Sequence, residues 1–160
     1  MTTVLIVCHA NTARSVMAQA LLEKMLADRD AGHRIRVRSG GIANYARDGM
    51  LPSLDARLVL REDGIHLAEN ALTSTDLRRH RHLIAEADLI LTMTAQQKEA
   101  LQGFAEARGR PLYTLREFVG EEGDIGDPAL RGEDAFRACR DAIKWCLERS
   151  IDRLLGVARP

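Results

Sequence analysis

Cys8 follows the apolar, β-branched run Val4-Leu5-Ile6-Val7 without a spacer, and Arg14 and Ser15 stand at the head of a stretch with helical periodicity. A buried strand, a tight loop and a helix N-terminus in that order turn successive backbone N–H groups inward, and the helix end adds partial positive charge. Such a loop is a cradle for a phosphate-like dianion. Arg14 at its end can grip two oxygens of that dianion at once, because a planar guanidinium fork matches their geometry. The same surroundings favour Cys8 as a thiolate aimed at the bound phosphorus. Taken singly, each residue has a plainer reading: Cys8 as a core cysteine, Arg14 as a surface cation. Their joint spacing with Ser15 and the following helix favours the chemical one.

Cleaving a phosphate ester or phosphoramidate needs a nucleophile in line with the leaving group, neutralised phosphoryl oxygens, and a proton for the departing atom. Cys8 supplies the first and would form a cysteinyl-phosphate. Arg14 and the N–H groups of His9, Ala10, Asn11, Thr12 and Ala13 supply the second. Ser15 is placed to hydrogen-bond the thiolate, and Asn11 to brace the loop from within. For the proton the candidate is Asp127, in a glycine-rich loop stiffened by Pro128, although Asp-Pro alone also reads as a plain turn. No cluster of histidine, cysteine and acids suggests a metal. No cofactor is called for.

Cys-x5-Arg-Ser near the N-terminus resembles the low-molecular-weight protein tyrosine phosphatase family. Ser39-Gly40-Gly41, Asp88-Leu89-Ile90-Leu91-Thr92-Met93-Thr94 and Asp127-Pro128 extend the match over most of the chain. Within the family the chain most resembles the bacterial protein-arginine phosphatase branch, through Asn11-Thr12, Tyr113-Thr114-Leu115-Arg116-Glu117-Phe118-Val119 and Gly123-Asp124-Ile125-Gly126-Asp127-Pro128. The resemblance implies a phosphotyrosine phosphatase I-like fold, a phosphorylated protein as substrate and inorganic phosphate as product. It also turns Asp127 from a turn residue into the proton donor, which then activates water against the phosphoenzyme. Thr12 goes with phosphoarginine by the same resemblance, tyrosine-specific relatives carrying a bulkier aliphatic there. Those relatives place aromatic residues after Asp-Pro, where this chain has Ala129-Leu130. Tyr45 forms the opposite wall of the pocket, or is an ordinary half-buried loop tyrosine.

Four positions depart from the family pattern. Ala10 replaces a glycine, at a cost on the order of 1 kcal/mol if the position needs positive φ. Ala13 replaces a second loop cysteine and removes a protective disulfide partner for Cys8. Val16 replaces a proline, and Glu69 aligns with a histidine that supports the loop.

Composition sets the frame for these residues. At 160 residues the chain supports one domain, 1–160, with a sizeable core. Lys plus Arg number 23 and Asp plus Glu 23, so no overall field draws nucleic acid or an anionic membrane. No apolar run reaches bilayer-spanning length, and the N-terminus lacks a secretory pattern, so the expected location is cytoplasmic. Three cysteines suit a reducing compartment. Cys139 and Cys146 fall on one helix face about 10 Å apart along its axis, too far to bridge, and read as core.

The elements that must position the site follow from hydrophobic period. Strands are expected at Val4–Val7, around Ile35 and Val37 at a sheet edge, at Leu89–Met93 and at Leu112–Thr114. Ser39-Gly40-Gly41 is expected to turn the chain. Helices are expected over about Ser15–Asp28, from Ser53 to Leu60 with Leu54, Leu58 and, adjoining them, Val59 inward, after a Thr75 cap, and over Thr94–Ala107. Residues 116–132 read as loop. A long helix then starts at Glu133, with Phe136, Cys139, Ile143, Cys146 or Leu147, Ile151 and Leu154 on one face. The alternation predicts a three-layer α/β domain, a four-stranded parallel sheet with helices on both faces. Ligands of such sheets sit beyond the carboxyl ends of the strands, where the Cys8 loop falls.

Two other classes compete with a phosphatase. An arsenate reductase on this fold needs two relaying cysteines near the nucleophile, for which Cys139 and Cys146 are poorly placed. A phosphate or phosphopeptide binder without catalysis is motivated by Ala10 and Glu69. The basic run Arg78-Arg79-His80-Arg81-His82 reads as a solvated helix face or a dock for an acidic partner.

Overall fold

The computed structural model describes residues 1–157, so the last three positions of the expected domain lie outside the described residues. In chain order the elements are β1 (Thr2–Cys8), α1 (Arg14–Asp28), β2 (Ile35–Gly41), α2 (Leu54–Arg61), α3 (His82–Ala85), β3 (Leu89–Thr92), α4 (Ala95–Gln102), β4 (Leu112–Thr114), α5 (Leu115–Phe118) and α6 (Glu133–Val157). The four strands form one parallel sheet in the order β2-β1-β3-β4, which puts β2 at an edge as its alternating arginines predict.

Parity along β1 divides the core. Val4, Ile6 and Cys8 pack with Met17, Leu21, Val59, Leu60, Ile143 and Leu147, from α1, α2 and α6. Leu5 and Val7 face the other way, onto Leu77, Ile84 and Leu101. Strand alternation therefore yields three layers, and it also decides on which side of the sheet the Cys8 sulfur emerges. Every residue expected on the inner face of α6 is buried, Cys139 and Cys146 included. No helix among the described residues is long and apolar enough to cross a membrane.

Local chemistry corrects several expectations. Ser39-Gly40-Gly41 does not turn the chain; it extends β2, with Gly41 paired to Cys8. A Cβ on Gly41 would lie 2.7 Å from the His9 carbonyl oxygen and 2.9 Å from the Ala10 carbonyl carbon, so the loop approaches bare backbone there. Thr75 caps nothing. The segment around it runs as turns, Gly41 N–H donates to Thr75 O at 2.8 Å, and the next helix starts at His82. Helix α4 does begin at its Thr94 capping box with Gln97, but it ends at Gln102, ahead of a 3-10 turn at Ala105–Ala107. A second capping box, Thr114 with Glu117, winds α5 out of what the glycine-rich composition suggests is loop.

In α2, Ala56, Val59 and Leu60 are buried while Leu54 points outward, 63% exposed. The basic run is no helix face. Arg78 pairs with Asp76 at 3.1 Å, His80 with Asp48 at 2.8 Å, and Arg81 lies 4.5 Å over the Phe104 ring.

Glu62, just after α2, ties that helix to α6 by accepting from Arg137 Nη2 at 2.7 Å and Arg140 Nη1 at 2.6 Å. Hydrogen bonds from Arg137 and then Arg140 pull its carboxyl from the ordinary 4.5 down to about 2. The native state holds Glu62 ionised where the unfolded chain protonates it, so this contribution is present above about 4.5 and is lost as pH falls toward about 2. Glu62→Gln is expected to lower the melting temperature at neutral pH by a few degrees and to flatten its decline over that acid window. Thermal unfolding of both proteins across pH checks this; parallel curves would contradict it.

Candidate active site

The loop between β1 and α1 presents amides inward because its carbonyls are taken up outside. Cys8 O accepts from Ile42 N–H at 3.1 Å, His9 O from Ala43 N–H at 3.0 Å, and Thr12 O from Ser53 N–H at 2.8 Å. The N–H groups of His9, Ala10, Thr12 and Ala13 donate to no protein acceptor among the described residues. Helix α1 has no side-chain cap at Ala13 and no acid in its first turn, so its positive end also faces the loop uncompensated. Positive φ falls on Asn11, at 61°, and not on Ala10. Asparagine tolerates that conformation, so the alanine in place of glycine carries no strain of handedness.

Asn11 is 1% exposed and organises the site. Thr75 N–H, which can only donate, holds Asn11 Oδ1 at 2.9 Å, so the amide orientation is fixed. Its Nδ2 then donates to Ser15 Oγ at 2.7 Å and to Ser39 Oγ at 3.0 Å. Ser39 Oγ in turn donates to Gln19 Oε1 at 2.6 Å, and Gln19 Nε2 donates to Val37 O at 3.1 Å. Ser15 Oγ, accepting from Asn11, lies 2.9 Å from Cys8 Sγ and donates its hydroxyl proton there when the sulfur is a thiolate. The Asn11 N–H points at the same sulfur, 3.3 Å away. Two donors therefore converge on Cys8 Sγ, the environment that suits a sulfur anion.

Thr75, Ser39 and Gln19 carry no local signature of this task, because the network closes over long sequence separations. Glu69 is exposed and makes no hydrogen bond to the loop among the described residues; the Thr75 backbone N–H is what holds Asn11.

Arg14 is only 3% exposed, at the first residue of α1. Its Nη1 donates to Ile125 O at 2.7 Å, and its Nη2 lies 3.9 Å from Asp127 Oδ2. Ile125 N–H donates to Met93 O at 2.9 Å, and Asp124 Oδ1 accepts from the Ala95 N–H at the start of α4. The loop carrying Asp127 is thus pinned to the end of β3 and to the guanidinium. Asp127 Oδ1 accepts from Ala129 N–H at 3.0 Å, which leaves a half-exposed carboxyl at the mouth.

These groups line a cavity of about 450 Å³ that also takes in His9, Thr12, Tyr45, Ser53, Asp55, Leu130 and Phe136. Sequence reasoning brought Cys8, His9, Ala10, Thr12, Ala13, Arg14, Tyr45 and Asp127 here, with Ala129 and Leu130 opposite Tyr45, and missed Ser53, Asp55 and Phe136 as walls. Asn11 and Ser15 lie behind the loop, in contact with the sulfur. Burial, and next the Arg14 charge, lower the His9 pKa below its usual value, with Asp127 opposing, so a neutral ring stands at the rim. The Tyr45 ring is 6.4 Å from it, 56% exposed. Thr12 makes no side-chain hydrogen bond among the described residues, so its hydroxyl is open to a ligand.

Burial pushes Cys139 up to about 12 and raises Cys146 as well, so both are held as thiols in the core. That speaks against the reductase reading.

A family model described as low molecular weight phosphotyrosine protein phosphatase matches residues 3–155. A protein-arginine-phosphatase of Geobacillus stearothermophilus is 36% identical over 154 residues, 94% of this chain and 95% of that protein. A low molecular weight protein-tyrosine-phosphatase PtpB of Staphylococcus haemolyticus is 34% identical over 141 residues, 88% of this chain and 91% of that one. The solved structure of the YwlE arginine phosphatase from Geobacillus stearothermophilus superposes with a TM-score of 0.83 at 34% identity, covering 98% of this chain and 94% of that chain. The architecture is accordingly phosphotyrosine phosphatase I-like, as expected.

Proposed function

The chain belongs to the low molecular weight phosphotyrosine protein phosphatase family, and from that premise we propose that it is a cysteine-dependent protein phosphatase acting on phosphoarginine in preference to phosphotyrosine. The observation that carries the catalytic reading is the convergence of Ser15 Oγ and Asn11 N–H on Cys8 Sγ, at the floor of a loop of unengaged amides. A dianion lodged there accepts from those amides and from Arg14. The sulfur then sits behind the phosphorus, in line with a leaving atom at the mouth.

The first step forms the S–P bond of a cysteinyl-phosphate and breaks the P–N bond to arginine. Asp127 gives the departing nitrogen its proton. In the second step Asp127 takes a proton from water, the water oxygen bonds phosphorus, and the S–P bond breaks to return the Cys8 thiolate with inorganic phosphate. Ser15 stabilises that thiolate as leaving group through its hydroxyl proton. Asn11 positions Ser15.

Phosphoarginine is favoured by the open Thr12 hydroxyl and by Ala129 and Leu130 where an aromatic wall would clasp a phenol. The relatives named for arginine phosphatase activity support it. The second reading, a phosphotyrosine-specific enzyme, rests on the Tyr45 ring at the cavity wall and on the relatives named for tyrosine. Cytoplasmic residence belongs to the proposal and is supported by three free cysteines.

Thr12→Ile separates the substrate readings. It fills the pocket wall and removes the hydroxyl, and is expected to lower the kcat/KM ratio for phosphoarginine over phosphotyrosine peptides by about tenfold. An unchanged ratio, measured on matched peptides, removes Thr12 from the specificity account.

A further inference from the structure

Besides the Cys8 sulfur at its floor, three charged side chains line the cavity: Arg14, Asp127 and Asp55. The first two face each other at 3.9 Å. Asp55 is half-buried in the first turn of α2 and has no hydrogen-bond or ion-pair partner among the described residues. Its neighbours differ: Glu62 is held by Arg137 and Arg140, and Asp63 by Lys144 at 2.6 Å. A lone carboxylate on the wall of a dianion pocket repels the dianion, and it opposes binding unless a cation comes between them. Phosphate itself cannot be that cation. The leaving group can.

We infer that Asp55 selects substrates whose leaving group carries positive charge, its carboxylate pairing with the part of the substrate that points out of the cavity. The phosphorylated guanidino group meets this need, since the nitrogens not bonded to phosphorus carry its positive charge and N–H donors; a phenol ring brings neither. This rests on the phosphoarginine reading for its natural substrate, but the electrostatic selection is a property of the wall.

Asp55 is presented rigidly. The Ser53 N–H bond to Thr12 O locks the start of α2 to the phosphate loop, and Arg140 Nη1, donating to Val59 O at 2.7 Å, locks its other end to α6. An acid in a first helical turn also favours the helix through the macrodipole. That role would affect stability and would treat all substrates alike.

The test compares para-aminomethylphenyl phosphate with para-methylphenyl phosphate, a cationic and a neutral ester of closely similar leaving groups. Wild type is expected to favour the cationic ester. Asp55→Asn lowers that ratio of kcat/KM by about fivefold, the scale of a partly exposed ion pair, and Asp55→Glu retains most of it. Thermal unfolding of each variant confirms that a folded enzyme is being measured. A ratio unmoved by Asp55→Asn overturns the inference, whatever happens to stability. Peptide assays read the other question: a wild-type enzyme that cleaves phosphotyrosine and leaves phosphoarginine intact brings down the phosphoarginine reading, while the aryl pair still decides the role of Asp55.

Discussion

Cys8→Ser is expected to lower turnover of an aryl phosphate by at least about ten-thousandfold while inorganic phosphate still binds. The two effects separate because the groups that hold the dianion are not the group that attacks it. The loop amides keep their orientation through the carbonyl bonds from Ile42, Ala43 and Ser53, none of which touches the sulfur. Arg14 is held by Ile125 and does not depend on Cys8. A hydroxyl in place of the thiolate is a far weaker nucleophile at neutral pH. It also removes a negative charge from beneath the phosphate, so affinity should hold or rise. Steady-state kinetics and calorimetric titration with inorganic phosphate provide the check. Residual turnover near wild type would remove Cys8 from the mechanism. Turnover absent in wild type as well, with phosphate bound by both proteins, would make the chain a binder.

Elements with a strong, local hydrophobic period were legible in the sequence. The run Val4–Val7, the stripe through α1 and the inner face of α6 each declare themselves within one window, and Cys8 and Arg14 inherit their positions from the strand and helix that flank them. What escaped was held together over long separations. Thr75 reads as a helix cap, yet its N–H fixes Asn11, which is 64 residues away. Ser39-Gly40-Gly41 has the composition of a turn, but Gly41 stays extended because the phosphate loop packs on its bare Cα. Leu54 reads as core by period and lies outside, since the setting of α2 is dictated by Ser53 hanging from Thr12 and by the arginines of α6. Asp55 has no motif at all. Its significance comes from what the cavity wall lacks around it, a cation, and no one-dimensional pattern carries that information.

The same contrast separates the two acids of the pocket. Asp127 was found because its loop carries Gly123-Asp124-Ile125-Gly126-Asp127-Pro128, and the structure explains what the neighbours do. Asp124 accepts from the first N–H of α4, Ile125 bridges Met93 and Arg14, and Pro128 is buried. A loop otherwise rich in glycine is fastened at each point that would let Asp127 drift. Rigid presentation is what a proton donor needs, because misplacement by an ångström costs much of its contribution.

Asp127→Asn therefore tests proton delivery with little change of shape. Asparagine keeps an Oδ1 that accepts from Ala129 N–H, and it gives up the carboxyl proton and the charge facing Arg14. For a phosphoarginine peptide the departing nitrogen is strongly basic and cannot leave as an anion, so kcat/KM is expected to fall by about a hundred- to ten-thousandfold. A para-nitrophenolate leaves without protonation, and kcat/KM for its phosphate should fall by less than about tenfold. That parameter reports the steps through formation of the cysteinyl-phosphate. The nitrophenyl ester should then show its loss in kcat, where water attack on the phosphoenzyme also uses Asp127, and a burst of nitrophenolate should precede slow turnover. Equal losses in kcat/KM on both substrates would carry a different meaning: the carboxylate would be acting through the position of Arg14, 3.9 Å away, and the proton would have to come from elsewhere.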